Sequence, residues 1–176
     1  MESDDATFEA EEKEVEASTQ TQLKDVEEDL NRSLSVLANR FFHSAYWFSI
    51  LGLRFASFSL PTIKSNMKTM REISLDSAEQ ILMSITDSLS SRDAIQLADI
   101  AKPEPKPKFS KLSVDQAVKI VEDLDEWLLK SIETVLYHVH NENSPLKVEL
   151  LEQLLMERKI LLRESRNMNS DKFVLM

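Results

Sequence analysis

A chain of 176 residues with one glycine, Gly52, and no cysteine lacks most of what punctuates sheets or builds ligand-cradling loops, and it has no thiol for disulfides, zinc-thiolate sites or nucleophilic catalysis. Hydrophobic residues make up 42%, enough for a core within one domain. The net charge of -10 is already present in residues 1–29, where twelve acids meet two lysines; beyond them nineteen acids balance nineteen bases, so no basic field invites nucleic acid.

Residues 1–18 are acidic and apolar only at scattered positions such as Phe8 and Val15, a composition that predicts a disordered tail. No basic region followed by a cleavage site opens the chain, so a secretory signal is not expected and the expected location is cytoplasmic.

Residues 19–100 predict a long helical hairpin. Its first helix is expected over about residues 20–59, on the stripe Leu23, Val26, Leu30, Leu34, Leu37, Phe41, Ala45, Phe48, Leu51, Phe55 and Phe58. From Phe41 onward Phe42, Tyr46, Trp47, Ile50 and Leu53 add a second apolar face. A helix apolar on most sides needs cover on most sides. A membrane span over Phe41–Leu60 is disfavoured, because Arg54 inside it costs about 2.5–3.5 kcal/mol. The aromatic block therefore predicts contact with another protein surface, either a second copy or a helical hetero-partner. The expected interface is Phe41, Phe42, Tyr46, Trp47, Phe48, Leu51, Arg54, Phe55 and Phe58. Replacing Trp47 and Phe48 with serine is expected to dissociate an assembly while leaving helicity intact. Arg54 needs an acidic partner or carbonyl oxygens, and a salt bridge to helix two or to a partner subunit is expected, with Asp76 and Asp87 as candidates.

Pro61 suits the first position of helix two, since its missing N–H costs nothing there. Ile63, Met67, Met70, Ile73, Ala78, Ile81, Ile85 and Leu89 form its stripe. Ser74, or Asp76 with Glu79 three residues on, can cap a fresh start, so a kink or break is expected near residue 75. A short helical turn is expected over Arg92–Ile100. Residues 101–110 form a Pro/Lys linker that reads as a semi-rigid crossover.

Residues 111–166 predict a second hairpin. Ser113 and Gln116 form a capping box, preceded by Leu112 as a staple residue. Helix three carries Val114, Ala117, Val121, Leu124, Leu128, Ile132, Val135 and Val139. Helix four opens at Ser144–Pro145, an N-cap followed by proline, and carries Leu151, Leu154, Leu155, Ile160, Leu161 and Leu162. Arg158, Lys159, Arg163 and Arg166 read as charges favourable to the end of a helix. Residues 167–176 are aperiodic and predict a flexible tail. The fold expected is an all-α four-helix bundle of two antiparallel hairpins joined by a crossover.

Inside such a bundle a di-metal centre needs inward glutamates and Glu-x-x-His pairs. None of His43, His138 and His140 follows a glutamate at that spacing. The segment Trp127–Leu162, a tyrosine-containing helix, a short acidic turn and a leucine-rich helix with a glutamate, loosely resembles the second hairpin of ferritin-like proteins. That resemblance implies the bundle and puts Glu157 at a ligand glutamate and Ile160 at the ligand histidine; the isoleucine argues against metal. His138 and His140 are two apart and face different ways, His43 is expected in core or interface, and Glu122, Asp123, Asp125 and Glu126 read as a solvated acidic face. No catalytic, cofactor-binding or metal residue is assigned. The expectation is a non-enzymatic structural or assembly protein acting through helix-mediated contacts, without nucleic acid and with membrane contact not favoured. The alternatives are a peripheral lipid-associated helical protein and a ferritin-like metal-handling bundle.

Overall fold

The computed structural model describes residues 5–85, 111–141 and 144–171. Its helices are α1 (Asp5–Ser57), α2 (Pro61–Met83), α3 (Val114–Asn141) and α4 (Pro145–Asp171), and no strand occurs among the described residues. The acidic segment for which disorder is expected is helical from Asp5 onward. Glutamate, alanine and lysine are strong helix formers even where no apolar period is present. The turn expected over Arg92–Ile100, the linker 101–110 and the end of the C-terminal tail lie outside the described residues.

The α1–α2 corner is a Schellman motif. Ser59 N–H donates to Ala56 O at 3.1 Å and Leu60 N–H to Phe55 O at 3.2 Å, with Ser59 in the left-handed region at φ 60°. Glycine normally takes this position, and a serine Cβ there is strained. Pro61 then opens α2, as expected. Helix α2 runs unbroken past residue 75, where a kink or break is expected. Ser74 and Ser77 are buried, and Ser77 Oγ donates to Ile73 O at 2.7 Å, so neither hydroxyl caps a new helix. At α3 the capping box closes in both directions: Ser113 N–H donates to Gln116 Oε1 at 2.9 Å and Gln116 N–H to Ser113 Oγ at 3.2 Å. Val148 N–H donates to Ser144 O at 3.1 Å as α4 begins.

The helices form a square in which α1 packs on α2 and α3, while α4 packs on α3 and α2. Two apolar clusters fill it. One joins Leu30–Phe41 of α1 to Ala78–Ile85, Leu128–Val139 and Leu151–Leu154. The other joins Phe48–Phe55 to Met67 and Met70, Ala117–Val121 and Leu161. Each helix contributes to both clusters, and the order gives its direction. Helices α1 and α4 run from the first cluster to the second; α2 and α3 run the opposite way. The parallel pair α2 and α3 therefore requires a crossover between the hairpins, the topology of a bundle with one long connection.

Gly52 brings α1 and α2 together. A Cβ added there would stand 3.3 Å from Met67 Cβ. We expect Gly52→Val to destabilise the bundle by about 1–3 kcal/mol through overpacking, and Ser59→Gly to stabilise it by roughly 1 kcal/mol by relieving the left-handed serine. Urea unfolding of the two variants measures both.

Candidate functional site at the centre of the bundle

Between the two apolar clusters lies a polar layer to which every helix contributes. In α3, Asp125 falls between Val121 of one cluster and Leu128 of the other; in α4, Arg158 falls between Leu161 and Leu154. In α2, Ser74 and Ser77 fall between Met70 and Ala78; in α1, Ser44 falls between Phe41 and Phe48. All five polar side chains are buried, with Asp125 at 0% and Arg158 at 1% exposure.

Arg158 organises this layer. Its Nη1 donates to Asp125 Oδ1 at 2.9 Å and its Nη2 to Ser74 Oγ at 3.2 Å. Its Cζ stands 5.3 Å from the centre of the Phe41 ring, within the range of a cation–π contact. Arg158 Nε, also buried, has no hydrogen-bond partner among the described residues. Burial pushes the guanidinium below its ordinary pKa, and the neighbouring Asp125 carboxylate pulls it back up. An arginine stays charged in a protein, so a full ion pair sits inside the bundle. Ser44 Oγ and Ser77 Oγ are satisfied by their own helices, donating to Arg40 O at 2.8 Å and Ile73 O at 2.7 Å.

A di-metal centre at this level would need several carboxylates and histidine. The layer offers one carboxylate and no histidine, and that carboxylate already faces a cation. The donor set does not fit a divalent metal. Nor do the described residues contain any group of three or more His, Asp and Glu placed to hold one.

The positions carried over from the ferritin-like resemblance miss the layer. Glu157 is exposed and Ile160 is 56% exposed; the inward residue on that turn is Arg158. The acidic group of α3 also divides. Asp123 is exposed, Glu122 and Glu126 are half-buried, and Asp125 lies in the core, because it continues the Val121 row at one turn's spacing. His138 and His140 are exposed, the latter 3.9 Å from Glu152. His43 is half-buried and accepts at Nε2 from Trp47 Nε1–H at 2.6 Å, with Trp127 edge-on beside it.

The expected interface block is split by the fold. Phe41, Phe48, Leu51 and Phe55 are sealed in the core of this chain, so serine at position 48 would damage the bundle itself. These four lie on the stripe that faces the interior, whereas the second apolar face stays half-buried or, at Leu53, 71% exposed. Phe42, Tyr46, Trp47, Arg54 and Phe58 are half-buried. Arg54 takes carbonyl oxygen rather than Asp76: Nε and Nη2 donate to Leu112 O at 3.0 and 2.5 Å, and its Cζ lies 4.2 Å from the Phe58 ring centre. Asp87 lies outside the described residues.

No protein-family model matches the chain, and no curated protein does. Solved structures do match. An open-pore ferritin from the archaeon Archaeoglobus fulgidus superposes with a TM-score of 0.68 at 15% identity, covering 84% of this chain and 86% of its own. An engineered closed form of that ferritin gives 0.65 at 15% identity, covering 80% and 82%. A humanized archaeal ferritin gives 0.69 at 14% identity, covering 85% and 86%. The fold is a ferritin-like four-helix bundle. This likeness corrects the expectation of a non-enzymatic structural or assembly protein: the findings agree better with the ferritin-like alternative. That expectation rested on an aromatic block of which the bundle core takes up Phe41, Phe48 and Phe55. No helix among the described residues is long and apolar enough to cross a membrane.

Breaking a buried pair leaves a charge without its partner, whereas removing both restores an apolar core. Asp125→Ala or Arg158→Ala alone is expected to cost about 3–5 kcal/mol, while Asp125→Leu with Arg158→Met is expected to be neutral or stabilising by up to about 4 kcal/mol. Chemical denaturation of the three variants measures the difference.

Proposed function

We infer that this chain is the subunit of a homo-oligomeric, ferritin-like assembly that takes metal ions as cargo on its outer carboxylates and not between its helices. The observation that carries this reading is the likeness to ferritins over more than four-fifths of both chains. Those neighbours are ferritins, and a metal cargo is carried over from that likeness as part of this proposal. The excess of 31 acids over 21 bases suits a cationic cargo. The ion pair at the bundle centre moves cargo binding away from the interior, since Asp125 already has its cation. Oxidation of metal inside a single bundle is therefore no part of the reading.

The contact between copies is assigned to the outer side of α1, where Phe42, Tyr46, Trp47, Arg54 and Phe58 stay half-buried and Leu53 is 71% exposed. Aromatic and arginine side chains of this kind supply most of the binding energy in subunit contacts.

The test joins light scattering with metal retention. Purified protein is expected to have a molar mass several times 20.2 kDa and, after aerobic exposure to ferrous iron, to carry iron through gel filtration. Tyr46→Glu with Leu53→Glu is expected to return the mass to that of one chain while the helical signal persists. A monomeric wild-type chain that emerges free of iron would overturn the reading.

A further inference from the structure

The central layer has the attributes of a binding site already filled by a piece of its own chain. Its walls come from three helices: the face of Phe41 on α1, the hydroxyl of Ser74 on α2 and the carboxylate of Asp125 on α3. The occupant is the guanidinium that α4 delivers through Arg158. An aromatic face, a neutral acceptor and a single carboxylate together favour a flat monocation, because a ring quadrupole attracts positive charge and a planar fork suits oxygen acceptors.

The geometry points to a cation pocket, enclosed by Phe41, Ser74 and Asp125, that is selective for guanidinium-type monocations and is closed in cis by Arg158. Charge sets the selectivity. Asp125 is the only buried acid among the described residues, so a single positive charge neutralises the layer, and a divalent ion leaves one charge uncompensated in the core. The unpartnered Nε supports the same view. That nitrogen carries the tether to α4, and the pocket supplies acceptors at the two outer nitrogens, where a free guanidinium ligand would also be held.

The inference concerns the monomer core and stands independently of the cargo reading, which concerns surfaces and assembly. It predicts chemical rescue. Arg158→Ala removes the occupant while its α4 backbone remains, leaving a pocket of matching shape and charge. The variant should melt roughly 6–20 °C below the parent, from the cost of an unpaired buried charge. Millimolar methylguanidinium should raise its melting temperature by several degrees, increasing with the logarithm of concentration, and should leave the parent unchanged. Sodium, tetramethylammonium and Mn²⁺ should give no such rise. In Arg158→Ala with Asp125→Asn the response to methylguanidinium should disappear.

A variant that melts lower but ignores methylguanidinium overturns the inference. So does one rescued equally by Mn²⁺, or one still rescued without Asp125. The unmodified protein supplies a second readout that needs no variant. Nuclear magnetic resonance of its arginine side chains should show the Arg158 Nη protons as separate, slowly exchanging signals, as expected of a guanidinium held at Asp125 and Ser74. A single averaged signal at that residue would overturn the inference even if Arg158→Ala failed to fold.

Discussion

A charge cannot be left alone inside a low-dielectric core, and the packing of this bundle is arranged around that constraint. Arg158 reaches Asp125 across the α3–α4 interface, Ser74 on α2 and the Phe41 ring on α1, so one side chain touches all three other helices. Apolar packing alone tolerates a helix sliding by a turn, because leucine on leucine is much the same at any level. An ion pair does not tolerate it. With Asp125 and Arg158 fixed to each other, the two halves of the core must lie where they do, one on each side of the polar layer. Two of the three guanidinium nitrogens find acceptors in this layer, Nη1 at Asp125 and Nη2 at Ser74.

Much of the fold was legible in the chain itself. The scarcity of glycine, the three-and-four spacing, Pro61 and Pro145 at helix starts, and the Ser113–Gln116 box each act locally, and each appears in the structure where the residues put it. What escaped were the residues whose meaning depends on neighbours in space. Asp125 stands four after Val121 and three before Leu128, and Arg158 four after Leu154 and three before Leu161, so both lie on buried rows. A reading guided by hydropathy passes over them to Leu124 and Ile160, because a charge on such a row looks like a gap in it. The interruption itself was the signal: an acid in one helix and a base in the next, each at a core position, is the pattern of a pair. The aromatic surplus of α1 misled for a related reason. Phe41, Phe48 and Phe55 turn into the core of this chain while Phe42, Tyr46 and Trp47 stay half-buried, and nothing in one dimension distinguishes an intramolecular neighbour from a partner chain.

Likeness of fold and unlikeness of site are separate facts about this protein. Its backbone matches ferritins over more than four-fifths of their length, yet the buried polar layer of this bundle presents serines, one aspartate and an arginine in place of gathered carboxylates and histidines. The same frame therefore holds two kinds of centre, one that recruits cations from solution and one that carries its own.

The clasp between Arg54 and the Leu112 carbonyl ties the far end of the first hairpin to the doorstep of the second. Both apolar clusters and the ion-pair layer also bridge the two hairpins, so side chains join them laterally at three levels. The molecule is in effect two hairpins written as one polypeptide, held side against side by shared apolar clusters, a buried ion pair and a guanidinium clasp at one end.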